Sequence, residues 1–106
     1  MIVVPSSSIA GCEVRRTLGL VQGSTIRARH VGKDILAALK NVVGGEIEEY
    51  TKMMAEAREQ AIDRMVAQAQ TLGADAIVDV RFSTSYLMSA ASEIMAYGTA
   101  VELKKD

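Results

Sequence analysis

The sequence predicts an α+β domain in which an antiparallel sheet packs against one long helix. Three observations lead to this fold class. Apolar residues recur at helical spacing over 46–72, they alternate in 74–86 and 93–103, and β-branched residues fill 12–29. With 106 residues, of which 49% are hydrophobic and 24% charged, the chain fits a single domain spanning 1–106 with one modest core.

The first half of the chain predicts a bent strand followed by a short helix. Residues 12–29, CEVRRTLGLVQGSTIRAR, have strand composition, and Gly19 and Gly23 predict bends or bulges within the strand. Asp34 then opens a short amphipathic helix that ends before Gly44-Gly45, since its apolar residues up to Val43 recur at helical spacing.

Residues 46–72 carry the clearest periodic pattern and predict a helix of roughly 40 Å at ~1.5 Å per residue. Such a helix is longer than so small a domain buries alone, and Gly73 predicts a left-handed cap at its end. Glu46, Glu48 and Glu49 fall in its first turn, where free N–H groups and the helix dipole favour carboxylates. We therefore interpret this acidic cluster as a helix start rather than a cation site. The apolar stripe consists of Ile47, Tyr50, Met54, Ala57, Ala61, Met65, Ala69 and Leu72.

Two strands are predicted after the helix, joined by a fairly long turn near residues 85–92 as an antiparallel hairpin. Alternation separates large from small side chains. One face carries Ala76, Val78, Val80, Phe82, Met95, Tyr97, Thr99, Val101 and Leu103, and the other carries Asp79, Arg81, Ala96, Gly98 and Ala100. We expect the large residues to face the helix and the small ones to admit a second subunit. A hydrated face of small residues is the alternative.

Charge and targeting patterns narrow the function classes. The opening apolar run, MIVV, is too short for a secretion signal or a membrane span, and one cysteine forms no internal disulfide, so we expect a cytoplasmic protein without a membrane partner. Residues 1–45 carry six Lys/Arg against two Asp/Glu. Only Arg27, Arg29 and Lys33 cluster there, with no aromatic residue among them, so nucleic-acid binding is not expected.

Few residues of the chain bear reactive chemistry. The serines lack a nearby base and the Gly-Gly pair lacks the residues of a phosphate loop, so no catalytic residue is assigned and we do not interpret the chain as an enzyme. An enzyme that uses Glu46, Arg81 or Glu93 as acid, base or clamp is the alternative. Glu93 and Arg81 are predicted to form a buried charge pair near Tyr97, as an oligomer contact or a ligand clamp.

Zinc, copper and cadmium prefer thiolate, imidazole and thioether ligands, but the chain has one cysteine, Cys12, one histidine, His30, and six methionines. Of the methionines, Met53, Met54 and Met65 recur at helical spacing and are expected to fill the core. A metal site at Cys12 therefore requires several identical subunits around an axis.

Six segments, SSSIAG, LGLVQG, VGKDILAALKNVVGGEIEEYT, AREQAIDRM, LGADAIVDVRF and EIMAYGTAV, are similar in order to the YbjQ-like family of "putative heavy-metal-binding" proteins. The resemblance spans nearly the whole chain. It implies a dodecin-like α+β fold whose copies form a homo-oligomeric ring of five. It does not include Cys12, where members of the family commonly carry other residues.

The resemblance also implies which positions line a ligand site or a subunit interface. They are Gly44, Gly45, Glu46, Tyr50, Arg58, Arg81, Glu93, Tyr97, Gly98 and Thr99. Two functions are then expected. The ring binds a divalent or heavy-metal ion, or another small ligand, or it is a metal-free scaffold that binds a protein or polyanion partner.

Overall fold

The protein folds as one helix packed on a mixed four-stranded sheet, which confirms the predicted α+β class. The computed structural model describes residues 1–28, 45–88 and 91–105, without the side chains of 28, 45–50, 87 and 88. Its elements are β1 (Ile2–Val3), β2 (Val14–Ala28), α1 (Gly45–Thr71), β3 (Ala76–Met88) and β4 (Ala91–Leu103). The strand order is β1-β3-β4-β2, with β1 parallel to β3 and the other pairs antiparallel. The helix predicted over 34–43 lies outside the described residues.

Helix α1 begins and ends one residue before its predicted bounds. Its cap is also as predicted, because Gly73 has a φ of 76° and its N–H donates to the Gln70 carbonyl at 3.0 Å. The Ala74 N–H donates to the Ala69 carbonyl at 3.1 Å, which completes a Schellman motif. The buried stripe follows the predicted 3.6-residue period through Ala57, Ala61, Met65 and Ala69.

The predicted assignment of the sheet faces is wrong for β4 and for β3 before Asp79, whereas Val80 faces the helix and Arg81 faces away from it as predicted. Helix α1 packs on the face that carries Ile77, Val80, Ile94, Ala96 and Ala100, so the small residues of β4 face the chain's own helix. The physical reason is distance, since a helix face made mostly of alanine approaches a sheet closely only where the sheet is also small. The large residues of β4 consequently lie on the side away from the helix.

Gly23 shows how closely the helix approaches the sheet. A Cβ added to this glycine would lie 2.7 Å from the Arg64 Cβ and would also overlap the Ala61 carbonyl oxygen and the Met65 amide nitrogen. The predicted bend or bulge at Gly23 is therefore wrong. Gly23 is instead the position where the backbones of β2 and α1 come into contact. The other predicted bulge is present, because the pairing of β2 with β4 shifts register between Thr17 and Gly19.

A bulge in β3 sets which residues point away from the helix. Asp79 and Val80 together oppose Gly98, and Asp79 has a φ of 54°. Because of this extra residue, Val78 and Val80 lie on opposite faces, whereas unbroken alternation had predicted that they share one. Gly98 is required at this position, since an added Cβ would lie 2.8 Å from the Ile77 Cγ2 atom.

The N-terminal segment was not predicted as part of the sheet. Beyond the two residues of β1, the Val4 N–H donates to the Ile77 carbonyl at 3.0 Å and the Val80 N–H donates to the Val4 carbonyl at 3.1 Å. Val4 and Ile9 pack on Ala76, Val78 and Val101, so this segment covers one end of the sheet face away from α1.

The long turn predicted over 85–92 is wrong, because β3 extends to Met88 and β4 begins at Ala91.

Candidate functional site

The candidate site is the face of the sheet opposite α1, which we call the open face. Strand registers and alternation place four of the predicted site residues on it, Arg81, Glu93, Tyr97 and Thr99. The full set in the described part of the chain, away from the end covered by the N-terminal segment, is Leu20, Gln22, Ser24, Ile26, Arg81, Ser83, Ser85, Glu93, Met95, Tyr97 and Thr99.

Arg81 is fixed by backbone carbonyls and not by the predicted ion pair. Its Nη1 atom donates to the Pro5 carbonyl at 2.7 Å and to the Val80 carbonyl at 2.9 Å. The register puts Arg81 opposite Tyr97 and Glu93 opposite Ser85, so the arginine and the carboxylate are separated by about 13 Å along the strands. The predicted Arg81–Glu93 pair is therefore not formed within the chain, and Arg81 instead holds the N-terminal segment to the edge of the open face.

The middle of the open face carries a row of three side chains on β4. Glu93, Met95 and Tyr97 are each half-buried and follow one another at two-residue intervals, or about 6.8 Å. Gln22 and Ser24 flank the row on β2. The sequence interpretation did not name Met95 as a ligand candidate, because its candidates on β4 came from the family resemblance, which does not include this residue. The alternation itself had correctly grouped Met95 with Tyr97 and Thr99.

Two apolar side chains border this row on the β2 side. Leu20, opposite Thr99, is 68% exposed, and Ile26, opposite Glu93, is 60% exposed. Within the described residues no element covers them. The open face thus combines a carboxylate, a thioether and a phenol with exposed apolar surface, which is the mixed composition of a contact surface rather than of a purely hydrated sheet.

The remaining predicted residues lie elsewhere. Gly98 belongs to the helix side of the sheet, and Arg58 is exposed on α1. Gly45, Glu46 and Tyr50 lie in the first turns of α1, which agrees with a helix start at the acidic cluster, but their side chains are outside the described part. Gly44 is likewise outside the described residues. The structure thus brings together four of the ten positions and separates Gly98 and Arg58 from them.

Cys12 is an exposed, free thiol far from this row. It lies in a shallow depression of about 270 Å³ with Gly11, Glu13, Leu103 and Lys104. Within residues 1–28, 45–88 and 91–105, no three His, Cys, Asp or Glu side chains are grouped to hold a metal ion. The metal site expected at Cys12 is therefore not completed by the described part of the same chain.

The basic cluster predicted for a polyanion partner is only partly described. Arg27 is half-buried, and its Nη2 atom donates to the Gln60 Oε1 atom of α1 at 3.0 Å. Arg29 and Lys33 lie outside the described residues. Arg27 is therefore held against the helix, but its hydrogen bond to a neutral amide does not neutralise its positive charge.

Comparison with known proteins gives the family. The model of a family described as "Putative heavy-metal-binding" (YbjQ) matches residues 1–104. The chain belongs to this family. Its relatives include a UPF0145 protein of Methanosarcina acetivorans, 57% identical and covering 97% of each chain, and one of Dehalococcoides mccartyi, 60% identical and covering 95% of this chain and 97% of the relative.

A solved structure agrees with the fold. A protein of unknown function of the DUF74 family from Pediococcus pentosaceus superposes with a TM-score of 0.65, 16% identity and 98% of each chain covered. At that identity the likeness shows the fold alone.

Within the part of the chain that is described, no helix has both the length and the apolar character needed to cross a membrane.

Proposed function

We propose that the chain is the subunit of a cytoplasmic homo-oligomeric ring that binds a heavy-metal ion, or another small ligand, at sites shared between subunits on the open face. The observation that carries this proposal is the half-buried row Glu93, Met95 and Tyr97, on the part of the open face that the N-terminal segment and the other described elements leave uncovered. The description of the family supports the class of ligand.

The ligand chemistry of the row suits a soft cation. The Met95 thioether prefers Cu(I) and similar soft ions, and Glu93 supplies a negative charge one strand repeat away. One chain provides fewer ligands here than the three or four that such ions require. Around a symmetry axis each side chain is repeated in every copy, so several subunits complete a set that one chain lacks.

The dimensions of the chain also support assembly. Its radius of gyration is 17.4 Å, whereas a compact domain of this length has about 13 Å. Two 13-residue strands and a 27-residue helix produce this elongated form and leave much of their surface outside the single core. We take five as the number of subunits, because the family resemblance implies it.

Titration calorimetry with Cu(I), Zn²⁺ and Cd²⁺, combined with native mass spectrometry and elemental analysis, tests the proposal. We expect a multimer that binds metal at a fixed number of ions per ring, and at least a tenfold weaker affinity in Met95→Leu. Met54→Leu is the matched control, because Met54 packs against the core beneath α1. Cys12→Ser should bind as wild type does if the row is the site.

Three results would contradict this proposal. A monomer at micromolar concentration would exclude shared sites. A wild-type multimer that binds none of these ions would exclude the metal ligand, and loss of binding in Cys12→Ser with full binding in Met95→Leu would place the site at the thiol.

A further inference from the structure

The outer edge of β3 is covered over less than half of its length. The N-terminal segment bonds to it as far as Val80, whose N–H donates to the Val4 carbonyl. From Arg81 to Met88 no described strand pairs with this edge. Because backbone groups alternate along an extended strand, Phe82, Thr84 and Tyr86 then present their N–H and C=O groups outward.

The register on the other side of the sheet gives the same assignment independently. The Gln22 N–H points away from β4, since it donates to the Gln68 Oε1 atom at 2.7 Å, and Gln22 is paired with Tyr97. The backbone groups of Tyr97 must therefore bond to Arg81 on β3. The backbone N–H and C=O groups of Arg81 therefore point towards β4, and those of Phe82, the next residue, point away from it.

The two edges of the sheet are treated differently. On β2, helix side chains occupy the outward groups, because Gln68 accepts from the Gln22 N–H and the Arg64 Nη1 atom donates to the Ser24 carbonyl at 2.5 Å. The edge of β3 beyond Arg81 has no such cover within the described residues, and residues 82–88 contain no charge, proline or glycine. A free edge of this composition is a template for another strand.

The sequence of the free edge is symmetric by chemical class. Around Thr84 it reads aromatic, serine, threonine, serine, aromatic in both directions, from Phe82 to Tyr86. Phe82 is 46% exposed, Tyr86 is 81% exposed, and Thr84 is exposed as well. An antiparallel second copy centred on Thr84 would set each Phe82 opposite Tyr86 of the other copy, and aromatic pairs of this kind favour strand pairing.

We propose that two copies of the chain join through this edge, antiparallel and centred on Thr84, into one continuous sheet with four strands from each copy. The occupant is a second copy because the edge is its own complement, as a two-fold contact requires. Residues 82–86 form the regular part of this edge, because the register of β3 shifts again between Tyr86 and Met88. This part fits between the two N-terminal segments, which cover each β3 as far as Val80. Both helices then lie on one side, and the two open faces lie next to each other.

This contact is separate from the ring contact of the proposed function, because a two-fold contact joins identical surfaces and a ring joins different ones. The test therefore does not use metal binding as its measurement.

Disulfide trapping in a Cys12→Ser background tests the register. Hydrogen-bonded antiparallel pairs have Cα atoms about 5.5 Å apart, within disulfide range. Under mild oxidation Thr84→Cys alone should yield a covalent dimer on non-reducing gels. Phe82→Cys and Tyr86→Cys should each remain uncrosslinked, and the variant carrying both should crosslink. Failure of Thr84→Cys to crosslink, or crosslinking by Tyr86→Cys alone, would overturn the proposed pairing.

Native mass spectrometry of Thr84→Pro provides a second test. Proline removes only the outward N–H of Thr84, which bonds to no strand within the described chain, so the fold should survive, as far-ultraviolet circular dichroism will report. Added to a ring of five, this two-fold contact gives a wild-type assembly of ten chains. We expect half of that mass, a ring of five chains, for Thr84→Pro and the full mass for Thr84→Val, which keeps the N–H. A folded Thr84→Pro with unchanged mass would contradict the proposal, and if it does not fold the disulfide result decides.

Discussion

Substitution of Gly23 by alanine measures how much of the stability depends on the close approach of α1 to the sheet. The added Cβ would lie 2.7 Å from the Arg64 Cβ, and ordinary contacts begin near 3.4 Å, so the helix must withdraw by about 1 Å once the nearer backbone atoms are included. A gap of that size forfeits about a quarter to a half of each dispersion contact. For Met65, with about 50 contacts of about 0.1 kcal/mol, or about 5 kcal/mol in all, the lower fraction of a quarter gives a loss of about 1.3 kcal/mol.

The buried alanines of the same stripe, Ala57, Ala61 and Ala69, add a similar amount, so we expect a total loss of about 2–3 kcal/mol, the usual range for overpacking. Strand propensity opposes this loss, because alanine in a strand is favoured over glycine by about 0.5–1 kcal/mol. The net effect is then about 2 kcal/mol of destabilisation.

Urea unfolding followed by circular dichroism provides the assay. With a slope of about 2 kcal/mol per molar urea, the midpoint of Gly23→Ala should fall by about 1 M. Gln22→Ala is the control, because Gln22 is the neighbour of Gly23 in β2 but lies on the open face. This variant keeps the bond from the residue 22 backbone N–H to Gln68, and its free energy of unfolding should stay within about 0.5 kcal/mol of wild type. Measurement at several protein concentrations separates folding from assembly. A variant at least as stable as wild type would refute the close-packing argument.

Two further predictions concern the bulge in β3 and the protected edge of β2. Asp79→Val should cost about 2–3 kcal/mol in thermal unfolding, since a β-branched residue at a φ of 54° is strained and the 2.8 Å bond from the Ser7 hydroxyl is lost. Asp79→Asn should lose at most about 1 kcal/mol, because asparagine tolerates this φ. Gln68→Ala exposes the Gln22 N–H and should raise the aggregation rate measured by light scattering. The free energy of unfolding should fall by at most about 1.5 kcal/mol. Unchanged scattering would contradict an edge-protecting role for Gln68.

The elements that depend on local pattern were predicted well. The bounds of α1 and its cap at Gly73 follow from periodicity and from the left-handed φ that glycine adopts readily. The bulge at Gly19 had a local signal of the same kind. The two residues of β1 had no such signal, because a strand this short is recognisable only by its partner on β3.

The candidate site was predicted in part. Resemblance to the family indicated Arg81, Glu93, Tyr97 and Thr99, and the strand registers place all four on the open face. Met95, which lies between Glu93 and Tyr97, was not named because it is not among the positions that the resemblance implies.

The sequence by itself determined the fold class, the bounds of the long helix and the sets of residues that share a face of β4. Only the tertiary structure decided which of those faces receives the helix and where the alternation of β3 is interrupted at Asp79. Alternation divides the side chains of a strand into two sets, but it does not show which set faces the helix. The choice between the sets depends on how closely another element approaches, and here the alanines of α1 reach the sheet only where Gly23, Ala96 and Ala100 leave room.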